Sequence, residues 1–84
     1  MASASKEYGK SLKALRDREI FELQLKQSNG SLDVYAAYLE WEQSAANVQM
    51  PLLTRALFER TLATYWQQPT LWEDFVYFAV IFQS

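Results

Sequence analysis

The sequence predicts an all-α fold in which antiparallel helix pairs stack as an α-solenoid, with about four helices and the last of them truncated. Three observations carry that prediction. The chain has only two Gly and two Pro in 84 residues, and it is well supplied with Leu, Ala, Glu and Gln, which lose little on entering a helix. Its large apolar side chains recur at i, i+3, i+4 and i+7 rather than in alternation. The third observation is self-similarity. A shift of 37 positions, the step from Arg18 to Arg55, also brings Phe21, Glu22 and Leu25 onto Phe58, Glu59 and Leu62. A period of this size marks stacked supersecondary units.

The elements follow in order. Residues 13–28 read as the second, or B-type, helix of one unit, with residues 1–12 as an N-terminal extension that continues it or frays. Asn29-Gly30 has no alternating segments around it, so Gly30 is expected to end this helix in a left-handed conformation rather than to turn a hairpin. Residues 33–46 form the first, or A-type, helix of the next unit. Tyr35, Tyr38, Leu39 and Glu42 define its inner stripe, Trp41 widens it, and Asp33 is the expected N-cap. Residues 51–65 form a B-type helix, with Pro51 in the first turn, where its missing N–H costs nothing. Leu57, Phe58 and Leu62 are its expected packing residues. A partial A-type helix spans 70–83, with Thr70 and Glu73 spaced as a capping box. The same shift places Val34, Tyr35, Tyr38, Leu39 and Trp41 onto Leu71, Trp72, Phe75, Val76 and Phe78.

The stretch from Phe75 to Phe82 is apolar on all sides, as buried helices are. Left open, it would be an aggregation hazard. The chain is therefore expected to be a fragment of a longer solenoid, since such arrays need three or more repeats and a polar end. A homodimer burying residues 71–82 is the rival expectation.

Composition narrows the function. Eight basic and ten acidic residues give a net charge of −2, so no positive field recommends nucleic acid as a direct ligand. Residues 1–27 carry six cations (Lys6, Lys10, Lys13, Arg16, Arg18 and Lys26) against four anions, a distribution better read as a solvated helix face than as a phosphate site. Cys and His are both missing from the sequence, which removes thiolate chemistry, the usual metal ligands and the usual general base. No catalytic, cofactor or metal residues are assigned, and an enzyme is not expected. The Phe75–Phe82 run falls far short of the ~20 residues that span a bilayer, and residues 1–15 lack the apolar core of a secretory signal.

Two strings carry a family resemblance. Arg55-Ala-Leu-Phe-Glu-Arg-Thr-Leu62, the Pro69-Thr-Leu-Trp72 lead-in and Trp72-x-x-Phe75-x-x-Phe78 resemble the half-a-TPR (HAT) repeat. Arg18-Glu-Ile-Phe-Glu22 followed by Tyr35-x-x-Tyr38-x-x-Trp41-Glu42 is similar to the start of HAT arrays in crooked-neck-like splicing factors. Leu57 to Trp72 resembles the HAT factors that recycle spliceosomal small nuclear RNPs. The likeness covers residues 13–84. It departs from the pattern at Tyr35, where the motif has its first Trp, and at Ala79, where it has an acid like Glu42.

The resemblance implies a protein–protein interaction scaffold of a nuclear RNA-processing factor. Its partners would be other protein subunits, with self-association through the array as a further possibility. RNA would be met only indirectly, with no membrane, cofactor or small-molecule substrate. The alternative is a TPR-like peptide-binding adaptor or co-chaperone module. TPR units run 34 residues and place Gly where this chain has Leu39 and Val76.

The candidate site residues are structural. Phe21, Tyr35, Tyr38, Trp41, Leu57, Phe58, Leu62, Trp72, Phe75 and Phe78 are the expected packing set; the aromatics at helical spacing lack the interleaved cations of a base-stacking platform. Arg18, Glu22, Glu42, Arg55 and Glu59 are the candidate inter-helix polar groups. Arg before Glu is the weaker i,i+4 orientation, so Glu22 and Glu59 are expected to reach across to hydroxyls or backbone N–H groups of the A-type helices. Asn29-Gly30-Ser31 matches an N-glycosylation acceptor only by pattern.

Overall fold

The computed structural model describes residues 2–44 and 50–83, with side chains over 11–44 and 50–82. Among the described residues there are four helices and no strand: α1 (Ala2–Gln27), α2 (Leu32–Glu42), α3 (Pro51–Tyr65) and α4 (Pro69–Gln83). They fall into two units, Met1–Gln49 with α1 and α2, and Met50–Ser84 with α3 and α4.

In the first unit, α1 is one continuous helix from Ala2, so residues 2–12 extend the 13–27 segment without a break. Its end is a Schellman motif. The N–H of Gly30 donates to the carbonyl of Leu25 at 2.8 Å and that of Asn29 to Lys26 at 3.3 Å, which closes the last carbonyls of the helix. Gly30 is left-handed with φ 73°, as expected, but Asn29 shares the conformation at φ 56°. Asn tolerates it better than most residues.

That turn resets the start of α2. The cap is Ser31, and Asp33 lies inside the first turn, where its charge favours the helix dipole instead of capping. The Ser28 hydroxyl accepts the Ser31 N–H at 3.2 Å. The helix closes at Glu42, with Gln43 as its C-cap; residues 45–46 of the expected A-type helix lie outside the described residues.

The direction of α2 follows from its partners. Glu22 meets Tyr38, while Arg18, four positions earlier, meets Glu42, four positions later. The pair is antiparallel.

In the second unit, α3 starts on an extended Met50 with Pro51 in the first turn. The carbonyl of Met50 accepts the N–H groups of Leu53 and Thr54, both at 3.0 Å, and the Thr54 hydroxyl at 3.2 Å. Only three residues, 66–68, separate α3 from α4, which forces them to be antiparallel neighbours. α4 begins at Pro69, not Thr70, and the carbonyl of Gln68 accepts the Leu71 N–H at 3.2 Å. Thr70 and Glu73 thus sit within the helix and no capping box forms, because Pro69 already occupies the first helical position with its φ preset.

Candidate interaction surface and the helix seams behind it

The seam of the first unit is half aromatic and half ionic. Phe21 stacks on Tyr38 with ring centroids 4.7 Å apart and planes 4° from parallel. Trp41 lies tilted against both, 5.6 Å from Phe21 and 6.2 Å from Tyr38. Offset stacking of this kind adds about 1 kcal/mol beyond area burial. Over the Trp41 ring, at 5.0 Å, sits the Arg18 guanidinium.

Arg18 also donates to a single carboxylate oxygen of Glu42, from Nη2 at 2.6 Å and from Nε at 3.1 Å. Glu42 is among the most deeply buried side chains at 2% exposure, and Arg18 is 13% exposed. One turn along, the Tyr38 hydroxyl donates to Glu22 Oε2 at 3.0 Å. Each polar group that enters the seam thus has a named partner. Among the described residues no buried side-chain nitrogen or oxygen lacks one, as a low-dielectric seam requires.

The second unit repeats the rings and drops the ions. Phe58, fully buried, stacks on Phe75 at 5.4 Å and 7° and lies tilted against Phe78 at 5.5 Å and 35°. These pairs stand 37 positions after Phe21–Tyr38 and Phe21–Trp41. However, α4 offers Phe75 where α2 has the Tyr38 hydroxyl, and Ala79 where α2 has Glu42. With neither acceptor nor donor across the seam, Arg55 and Glu59 turn to each other on the surface, Nε to Oε1 at 3.2 Å, each side chain about half exposed.

The expected reach across the seam therefore holds for Glu22 and fails for Glu59. The interior left without ions is completed by threonines: Thr61 is fully buried and donates to the Leu57 carbonyl at 2.8 Å.

The expected packing residues divide by position on their helices. Tyr35, Tyr38, Leu57, Phe58, Leu62 and Phe78 are buried, and Phe21, Trp41 and Phe75 are partly so. Trp72 is not part of the α3–α4 interior. It lies one residue, about 100° of helix, past the buried Leu71 and is 46% exposed, its indole N–H donating to the Trp66 carbonyl at 2.7 Å.

Trp72 opens the outer face of α4, where Val76, Tyr77 and Val80 are also exposed beside Glu73. These five residues line a shallow, almost wholly apolar surface. The sequence shows this face only as a helix apolar all round. Which residues stay open depends on where Phe58 docks. A second open face lies on α1, where Leu12, Leu15, Ile20 and Leu23 are all exposed.

The α4 and α1 faces leave large apolar side chains open to solvent. Among the described residues no group of three or more His, Cys, Asp or Glu could hold a metal ion, and no described helix is long and apolar enough to cross a membrane. No family model, curated protein or solved structure matches the chain.

Proposed function

We propose that the chain is a HAT-like repeat segment that serves as a protein–protein interaction scaffold in a nuclear RNA-processing factor of the splicing or small-nuclear-RNP class. The observation that carries this reading is the pair of matched ring stacks, Phe21 on Tyr38 and Phe58 on Phe75, both near parallel and 37 positions apart. Independent helical hairpins have no reason to place the same ring pair at the same register. A repeated unit does. A stack of such units offers an extended surface to other proteins, and the open apolar faces of α4 and α1 are the surface available here.

The RNA-processing assignment rests on the resemblance of residues 13–84 to HAT arrays. The chain is tagged and recovered from a eukaryotic nuclear extract, and the bound material is probed for spliceosomal small nuclear RNAs before and after protease treatment of the extract. The expected result is enrichment of these RNAs over a Val76→Glu variant, lost once proteins are digested. Equal recovery by both chains, or none, overturns the assignment.

A further inference from the structure

Asn29-Gly30 is the one place in the chain where a side-chain amide precedes a residue without a Cβ. The next backbone nitrogen can attack an amide so placed, because glycine leaves that nitrogen unshielded and allows the rotation that brings it close. Asn29 is exposed in the turn between α1 and α2, so water reaches it.

The closed turn withholds the reaction. Closing a five-membered ring needs the Gly30 nitrogen to shed its proton and to lie on the same side of the Asn29 Cα–C bond as Cβ. Here the Gly30 N–H is donated to the Leu25 carbonyl at 2.8 Å, the longer-range bond of the Schellman motif. Asn29 is left-handed at φ 56°, and in that conformation the following nitrogen points away from Cβ. The Ser28 hydroxyl braces the turn, accepting the Ser31 N–H at 3.2 Å and donating to the Leu25 carbonyl at 3.4 Å. One motif thus denies both requirements, and fraying of the last turn of α1 restores both.

We infer that Asn29 is a site of spontaneous deamidation, gated by the Schellman turn at the end of α1. In the open turn hydroxide takes the Gly30 N–H proton. The nitrogen attacks Asn29 Cγ, so that the N–Cγ bond forms and the Cγ–Nδ2 bond breaks with loss of ammonia. Water then opens the succinimide. Addition at Cγ gives aspartate, and addition at the main-chain carbonyl carbon gives isoaspartate, with the chain rerouted through Cβ and Cγ.

The products differ in what they do to the hairpin. Aspartate tolerates the left-handed region as asparagine does, so the turn closes again around it. Isoaspartate adds a carbon to the main chain between the Asn29 N–H, which donates to the Lys26 carbonyl at 3.3 Å, and the Gly30 N–H. The two Schellman bonds then lose their shared geometry, and Ser31 is no longer delivered in register to the start of α2. The new carboxylate also sits at the negative end of the α1 dipole.

The test is to incubate the full chain at mildly alkaline pH, in buffer and in guanidinium chloride. Isoaspartate at residue 29 is read by peptide mapping and by methyl transfer from labelled S-adenosylmethionine with isoaspartyl O-methyltransferase. It is expected to form in both, more slowly in buffer by on the order of tenfold or more. Ser28→Ala removes the brace and leaves the Asn29-Gly30 dipeptide intact. This variant, shown to be folded by circular dichroism, is expected to react several-fold faster than the wild type in buffer and at the same rate in denaturant.

Equal wild-type rates in the two solvents would mean that the turn is no gate. Isoaspartate that forms in denaturant but never in buffer would mean that the folded chain is not modified. A folded Ser28→Ala chain reacting no faster than the wild type in buffer would overturn the role given to the Schellman turn.

Discussion

Arg18 and Glu42, 24 positions apart in sequence, meet at 2.6 Å in the α1–α2 seam, with the guanidinium resting over Trp41. The equivalent partnership is missing from the second unit, because Ala79 stands where a carboxylate would be. The two seams are thus the same aromatic frame with and without an ion pair.

The buried pair predicts an asymmetry between breaking it and replacing it. Arg18→Ala strands the Glu42 carboxylate in the seam and should cost about 3 kcal/mol. Replacing both partners with apolar residues of similar size, Arg18→Met with Glu42→Leu, should be near neutral or stabilising. Urea unfolding followed by circular dichroism measures both. A double variant as unstable as Arg18→Ala would mean that the cation over Trp41, not the ion pair, holds the seam.

Arg55→Ala should have almost no effect. Its i,i+4 pair with Glu59 is half exposed on both sides, a setting worth ~0.5 kcal/mol or less. A loss above about 1 kcal/mol in the same urea experiment would show that Arg55 has a structural role beyond this contact.

Ala79→Glu should draw Arg55 off the surface. The register puts residue 79 where Glu42 stands, so the new carboxylate should couple to Arg55 and release Glu59. A double-mutant cycle between Ala79→Glu and Arg55→Ala is expected to give a coupling of ~1 kcal/mol or more. Zero coupling would show that the two seams differ in backbone geometry and not merely in side chains.

Phe58→Ala should be the most damaging single change in the second unit. Phe58 is fully buried between Phe75 and Phe78, and emptying such a site costs about 3–5 kcal/mol. That is comparable with the whole stability of a small unit, so α3 and α4 should lose helix content at 25 °C.

Gly30→Ala should cost about 1 kcal/mol, the penalty of a Cβ in the left-handed region. The nearest atom to that Cβ would be Tyr35 Cε2 at 3.6 Å, an ordinary contact, so the loss is conformational and not steric. The readout is the midpoint of thermal unfolding. A cost above ~3 kcal/mol would mean Tyr35 cannot accommodate the methyl group.

How much of this was legible in the sequence depends on how local the cause is. The start of α3 is written in Pro51, whose ring fixes the first turn wherever the helix ends up. The start of α2 is harder to read. Asp33 looks like a cap, but the Schellman turn through Asn29 and Gly30 delivers the chain to the helix two residues earlier, so Ser31 takes that place.

Partnerships across the seam are the least legible. Arg18 has Glu22 at i+4, yet Glu22 goes to the Tyr38 hydroxyl and Arg18 to Glu42. Spacing could name the five polar residues but not their pairing, since tertiary packing sets which carboxylate lies within reach. The same holds for Trp72. Its place in the aromatic pattern suggested the interior, and the rotation of α4 about Phe75 and Phe78 carries it to the surface.

The tryptophans also give the molecule built-in optical labels. Trp41 lies in the first unit under a guanidinium, whereas Trp66 and Trp72 lie in the second, linked by an indole-to-carbonyl hydrogen bond and open to water. A chain with Phe at 66 and 72 emits only from α2, and one with Phe at 41 emits only from the α3–α4 hairpin. The two emission traces, recorded through one denaturation, report separately when each hairpin melts and whether the melting of one drags the other with it.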